Sequence, residues 1–504
     1  MERDSALNRR RFLAAAPALI GLSRKSDRKI EGSFVNDAFP IGHRLRDHAP
    51  FRIPTRQLRV PIVIVGGGIA GLSAAWRLDK RGFHDFVVLE MERQPGGNAR
   101  WGENDITKFP WAAHYVPVPA KGESLARELF EELGVFREGK WDERALCFDP
   151  QERLFLHGRW QETIEPEIGA SPRDREQYRR FNDLIQEYRA SGQFTIPMER
   201  GARSSALDLR SMADWLESQK FDSPYLRWYI DYACRDDYGA LAKDTSAWAG
   251  IHYFASREPE EKGPLTWPEG NGWITERLVA KLGRYLHPAE PVYRVEPDKT
   301  GYRVLTESAA YPCECVIFAA PTFLAPYLIE GLPRAAGFQY SPWLTANLTL
   351  DRLPQQNGAE PAWDNVIFDS PALGYVNATH MNVASRMERT VWTFYWSLAE
   401  HTPADARALL LSKDWTFWKE AILNDLGRAH PDIRQCVSRI DIMRIGHAMV
   451  RPAVGFVFSA ERQRWARPHG RIFFANSDLS GFSIFEEAQY RGAQAADRAL
   501  ARLR

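Results

Sequence analysis

The chain has 504 residues, room for two sizeable domains. Its 66 Lys and Arg balance 65 Asp and Glu, which removes any electrostatic case for nucleic acid. The five cysteines (Cys147, Cys234, Cys313, Cys315 and Cys436) include no C-x-x-C pair, so free thiols and no metal site are expected. Cys313 and Cys315 read as sharing one strand face, a poor geometry for a bridge.

In chain order, the first element reads as an address. Asn8-Arg9-Arg10-Arg11-Phe12-Leu13 precedes an apolar run from Ala14 to Leu22, the pattern of a twin-arginine signal. Residues 1–30 are therefore expected to direct a folded protein through the Tat export machinery to the periplasm or beyond. With no small-x-small cleavage site after the run, an uncleaved membrane anchor is an alternative, and a basic tail is another. The run is shorter than the roughly 20 residues that span a bilayer. Residues 31–57 read as a Pro- and Arg-rich leader.

Ile62 to Val65 is an apolar run expected to form a buried parallel strand. Gly66, Gly68 and Gly71 then fill a G-x-G-x-x-G pattern. The first glycine permits a tight turn, the second admits a pyrophosphate, and the third lets a helix from Ala70 to about Leu78 pack close to the strand. That helix points its positive end at phosphates. Phe86 to Leu89 is a second strand, and Glu90 at its end is placed to accept from a ribose 2′-OH. A lone glycine motif can be a plain turn; strand, glycines, helix, strand and acid in order point to a dinucleotide.

Arg93-Gln94-Pro95-Gly96-Gly97-Asn98 resembles the second glycine motif of the flavin amine oxidase superfamily, which favours FAD over NAD. The family has Arg where Asn98 stands, and Arg100 is the available substitute. Gly96 and Gly97 would bring backbone N–H groups close to phosphate or flavin oxygens. The resemblance places Trp111-Ala112-Ala113-His114-Tyr115 beside the isoalloxazine ring, so Ala113 and His114 are candidate cofactor contacts. It assigns the backbone of Val292, in Pro291–Val295, to adenine. It reads Cys315–Pro321 as the strand closing the cofactor domain.

Near the tail, Gly470–Asp478 reads as a buried strand ending in a polar cluster, followed by Ser480-Gly481-Phe482 and a helix. The resemblance gives Asp478 a contact to the ribityl–pyrophosphate region and aims the helix N-terminus at the flavin. The Ala-Asn-Ser-Asp wording resembles bacterial spermidine dehydrogenases. The implied fold is α/β: a Rossmann-type FAD-binding domain (58–117, 265–335 and 450–504) with an inserted α+β substrate domain (118–264 and 336–449). Helices are expected over Glu123–Leu133, Arg173–Arg189, Met212–Leu216 and Tyr225–Asp237, and strands over Thr345–Leu350 and Val391–Trp396.

The implied reaction moves a hydride equivalent from a C–H beside a neutral nitrogen to flavin N5. It needs an aromatic slot and acids at the rim for a cationic, polyamine-like tail. Phe482 follows Ser-Gly where monoamine oxidases place one ring of that slot; core packing is its other reading. His447 is a candidate to orient the amine or take its proton, or a structural histidine. His114 is a third catalytic candidate. The stretch Ile445 to Arg471 has no Cys, so FAD is expected to be noncovalent. Pro321–Glu330 has no Lys, which in the family aids reaction with oxygen, and a quinone or cytochrome acceptor gains ground. The alternative reading is a desaturase or protoporphyrinogen-oxidase-like enzyme with an apolar pocket. A noncatalytic FAD-stabilised protein is the third.

Overall fold

Ile62–Val65, Phe86–Leu89, Cys315–Phe318, Ile472–Phe474 and Leu286–His287 form one parallel sheet. Its spatial order runs Leu286–His287, Phe86–Leu89, Ile62–Val65, Cys315–Phe318, Ile472–Phe474. Continuous β-branched and aromatic runs suit strands covered on both faces. Alternation sends Ile62 and Ile64 into one core, with Leu72, Trp76, Ala493 and Ala496 of the helices Ile69–Lys80 and Phe485–Leu503. Val63 and Val65 enter the opposite core, under an antiparallel sheet of Arg294–Asp298, Gly301–Leu305 and Ala310–Cys313. The two helices pack closely because residue 492 is glycine: a Cβ there would lie 2.1 Å from the Ala70 carbonyl oxygen. This computed structural model describes residues 29–35, 38–119, 124–257, 263–383 and 387–503, so the twin-arginine pattern lies outside the described residues.

The second domain is built on an eight-stranded mixed sheet. Its centre is antiparallel: Val437–Val450 pairs with Tyr340–Leu350, which pairs with Thr390–Trp396. Helices Pro403–Ser412 and Trp415–Leu426 cover one face through Leu410, Trp418 and Ile422. A helical layer of Pro172–Ala190, Met212–Ser218, Pro224–Tyr238 and Ala247–Ala255 has its own core around Phe181, Trp215 and Trp248. Ser171 and Ser211 start two of these helices with reciprocal capping boxes to Asp174 and Asp214. The α/β class and its two-part organisation thus match the expectation.

Two local readings need correction. Residues 31–35 and 38–57 are built into the fold rather than leading up to it. Glu31–Phe34 adds a parallel edge strand to Val437–Val450, and Leu45 of the helix Phe39–Arg46 reaches the cofactor cleft described below. Within the inserted stretch 118–264, the hairpin Glu152–Leu156 and Arg159–Glu162 extends the substrate sheet, as an α+β insertion allows. Cys313 and Cys315 lie on strands of different sheets, not on one strand face. All five cysteines are buried. Among the described residues no helix is long and apolar enough to cross a membrane, and no group of three or more His, Cys, Asp or Glu could hold a metal ion.

Candidate active site

Two clefts meet between the domains. The larger, about 1470 Å³, runs from Glu90 and Val292 past Gly66 and Gly68 to Asp478, Asn98 and Ala113. Gly68 and Asp478, 410 residues apart in sequence by subtraction of their numbers, line this one crevice. The smaller, about 820 Å³, is lined by His114, Tyr115, Trp343 and Tyr395 and by Asp236, Asp237 and Glu486. Asn98, Ala113, Asn271, Ala448 and Ser483–Phe485 line both. The start of the long helix Phe485–Leu503 therefore sits at the junction.

The glycines do what their spacing implied. Gly66 has φ +103°, a turn open to glycine. A Cβ on Gly71 would lie 1.8 Å from the Gly66 carbonyl oxygen, so only glycine lets the helix seat against the strand. Gly71 thus shapes the cleft without lining it. Gly96 and Gly97 have φ +134° and +58° and bring the second motif against Gly68. Glu90 is locked by two backbone donors: Gly67 N–H at 2.6 Å and Glu92 N–H at 2.7 Å. Burial pushes its carboxyl upward, and those two hydrogen bonds oppose the rise.

Asp478 is buried and accepts from Tyr340 Oη at 2.6 Å and Thr322 N at 2.9 Å. Burial raises its pKa against those bonds. Asn98 donates to the Ala448 carbonyl at 2.7 Å and fixes the floor of the junction. Arg100 lines the cleft and donates to the Gly97 carbonyl at 3.0 Å. Arg93 does not line the cleft; its side chain is exposed. The charge is carried inward by Arg100 instead.

The 111–116 segment is pinned by Tyr395 Oη to the Ala112 carbonyl, 2.9 Å, and Thr266 Oγ1 to the His114 carbonyl, 2.7 Å. Ala113 lines both clefts. His114 lines the smaller, its ring 4.7 Å from that of Tyr395. Burial lowers its pKa to about 4, so it is neutral at physiological pH.

Two catalytic candidates sit elsewhere. Phe482 lines neither cleft: it is buried in the helical core, stacked on His252 at 4.6 Å and near Trp248 and Tyr238. The turn at Gly481, with φ +87°, carries the next side chain inward. His447 lines the larger cleft and an outer groove, not the smaller cleft, because its strand presents Ile445, Ala448 and Met449 there.

The aromatic slot comes instead from Tyr115, Trp343 and Tyr395, and the rim acids from Asp236 and Asp237. Sequence reasoning missed these. A signal was available: Asp236 and Asp237 occupy the last turn of Pro224–Tyr238, where the helix dipole disfavours acids. Burial raises both carboxyls well above their ordinary range; Asp237 adds repulsion at Asp236, and Arg257 offsets part of the rise at Asp237. Glu486 pairs with Arg257 at 3.3 Å. Four residues that line this space each carry a buried polar atom without a partner: Glu486 Oε2, Trp343 Nε1, Thr345 Oγ1 and, at the junction, Asn271 Oδ1. Such atoms are costly to bury unless a ligand or water completes them.

Residues 64–133 match the NAD(P)-binding Rossmann-like domain family. A solved putrescine oxidase structure superposes with a TM-score of 0.70 at 18% identity, covering 88% of this chain and 100% of that one. The fold is the one seen in amine oxidase structures. Cyclohexylamine oxidase from Brevibacterium oxydans IH-35A gives a TM-score of 0.66 at 16% identity, covering 88% of this chain and 100% of that one. Among curated proteins, an L-amino acid dehydrogenase of Synechocystis sp. is 25% identical over 277 residues, which is 52% of this chain. The matched region spans only 56% of that relative's length.

Proposed function

We propose that this chain is an FAD-dependent oxidoreductase that oxidises an amine at its C–H beside nitrogen. One observation carries the reading: a cleft lined by both glycine motifs, Glu90 and Asp478 shares lining residues with an aromatic chamber that holds two acids. The residues fit FAD. Gly66, Gly68 and the start of the Ile69–Lys80 helix would hold the pyrophosphate, Glu90 a ribose, Val292 the adenine, and Asn98, Ala113 and Asn271 the ring end, all noncovalently. The unpartnered Asn271 Oδ1 is an acceptor awaiting a donor there. FAD, when bound, supplies the hydride acceptor.

The chain's own residues do the rest. Tyr115, Trp343 and Tyr395 wall the reacting carbon from water. Asp236 and Asp237 attract a distant ammonium and thereby position the substrate. The neutral His114 imidazole can hold a neutral amine nitrogen without adding charge. The second ammonium of a polyamine suits a chamber lined by Asp236 and Asp237. The similarity to an L-amino acid dehydrogenase raises a second reading, an amino acid substrate, and Arg257 at the chamber wall is the group that would meet its carboxylate.

As to the setting, the twin-arginine pattern supports export as a folded, FAD-loaded protein. Anaerobic titration of the purified yellow protein separates the readings. Spermidine is expected to bleach the flavin band. Bleaching by an L-amino acid with none by amines would favour the second reading, and bleaching only by an unsaturated lipid or porphyrinogen would refute both.

A further inference from the structure

An outer groove of about 1180 Å³ adjoins the cofactor cleft and shares no lining residue with the chamber. Its walls include Phe323, Tyr327, Phe338, Arg334, Arg407 and His447. His447 and Tyr340 line both the groove and the cofactor cleft, so this wall is one side chain thick. The His447 ring stacks on Phe323 at 4.2 Å, with Tyr340 edge-on to Phe323 at 5.0 Å. Arg407 is anchored by its bond to the Tyr340 carbonyl, 3.4 Å, and keeps its charge inside the groove.

The charge pattern differs from that of the substrate chamber. The chamber presents Asp236, Asp237 and the Glu486–Arg257 pair; the groove presents Arg334 and Arg407, with no carboxylate among its described walls. A cationic amine is repelled from such a groove. A flat, neutral molecule that gains negative charge on reduction is favoured by both the aromatic stack and the guanidinium groups.

We infer that this groove is the docking site of a quinone electron acceptor, which reoxidises the flavin across the His447–Phe323 wall. The inference rests on the FAD part of the proposed function and not on the amine part. The quinone takes two electrons and two protons from the reduced flavin; its two carbonyls become hydroxyls and the flavin returns to its oxidised form. Arg407 draws charge onto the quinone oxygen as electrons arrive, and His447, held neutral at about 4 by desolvation and by Arg407 and His43, adds no competing cation. Substrate and acceptor then use separate doors, and neither has to leave before the other enters.

The test uses the holoprotein with menadione as probe. The flavin is reduced photochemically, without amine, then mixed anaerobically with menadione. Arg407→Glu and Phe323→Ala are expected to slow reoxidation at least tenfold, while the rate of flavin reduction by spermidine stays at the wild-type value. Arg334→Glu, on an exposed side chain, guards against misfolding and is expected to slow reoxidation severalfold. Quenching of protein fluorescence by menadione, in protein stripped of flavin, is expected to weaken in the same order. Wild-type reoxidation rates in all three variants would overturn the inference, as would competition between menadione and spermidine for the acid-lined chamber. If spermidine fails to reduce the flavin but the variants slow menadione, the groove stands and the amine reading falls.

Discussion

Replacing the acid pair offers the sharpest test of substrate binding. Asp237→Asn removes the repulsion that burial intensifies at Asp236. Asp236 then ionises more readily, so the chamber keeps one negative charge and the single variant loses little, about fivefold or less in amine affinity. The double variant Asp236→Asn/Asp237→Asn removes the charge altogether. Glu486 cannot replace it, since Arg257 at 3.3 Å neutralises it. A carboxylate–ammonium pair at ~4 Å is worth ~4 kcal/mol at an effective dielectric of ~20. Discounting for water in the chamber leaves about 3 kcal/mol, which is roughly a hundredfold in affinity. Stopped-flow reduction of the flavin at increasing spermidine gives Kd directly, with flavin content checking that the cofactor cleft is intact. The sign with pH also follows. Both acids have raised pKa values, so they are neutral at low pH and amine binding strengthens as pH rises through their ionisation. Asp237→Asn is expected to move that limb to lower pH. A double variant with unchanged Kd, or a single variant as damaged as the double, would refute the reasoning.

Three further outcomes are expected. Gly71→Ala forces a methyl to 1.8 Å from the Gly66 oxygen, so the helix shifts and the protein loses both FAD and about 2 kcal/mol or more of stability, measurable by chemical unfolding. Glu90→Ala strands the Gly67 and Glu92 N–H groups, each costing about 1–3 kcal/mol if left unpaired, and FAD is expected to wash out on dialysis; Glu90→Gln, which keeps one acceptor oxygen, should retain more. Phe482→Leu is expected to lower the unfolding midpoint through lost packing on His252 and Trp248, by about 1–2 kcal/mol, while the spermidine Kd stays put. A large change in Kd would restore Phe482 to the site.

Local chemistry made the cofactor half of this protein legible from residues alone. A strand ending in glycines, a helix packed on Gly71 and an acid ending the next strand constrain one another over about 30 residues, because each is imposed by backbone sterics at close range. Val292, just before the strand Arg294–Asp298, and Asp478, in the turn after Ile472–Phe474, also line the cleft. The substrate chamber was not legible, since its walls come from a helix end, three strands and the 111–116 segment that meet only after folding. Asp236 and Asp237 carried a local clue in their misfit with the helix dipole, but Trp343 and Tyr395 looked like ordinary strand aromatics.

Position along the chain also misled at Phe482 and His447. A single residue of turn, at Gly481, decides whether a ring faces a cleft or a core, and His447 lines the larger cleft while Ile445 and Met449 of its strand line the smaller. What the sequence alone determined was a nucleotide cradle and a two-domain α/β chain. What only the tertiary structure decided was where the two clefts join, which acids face the chamber, and which side of the cofactor the basic groove adjoins. Periodicity records neighbours on one element, whereas a site between domains is set by how separate elements pack.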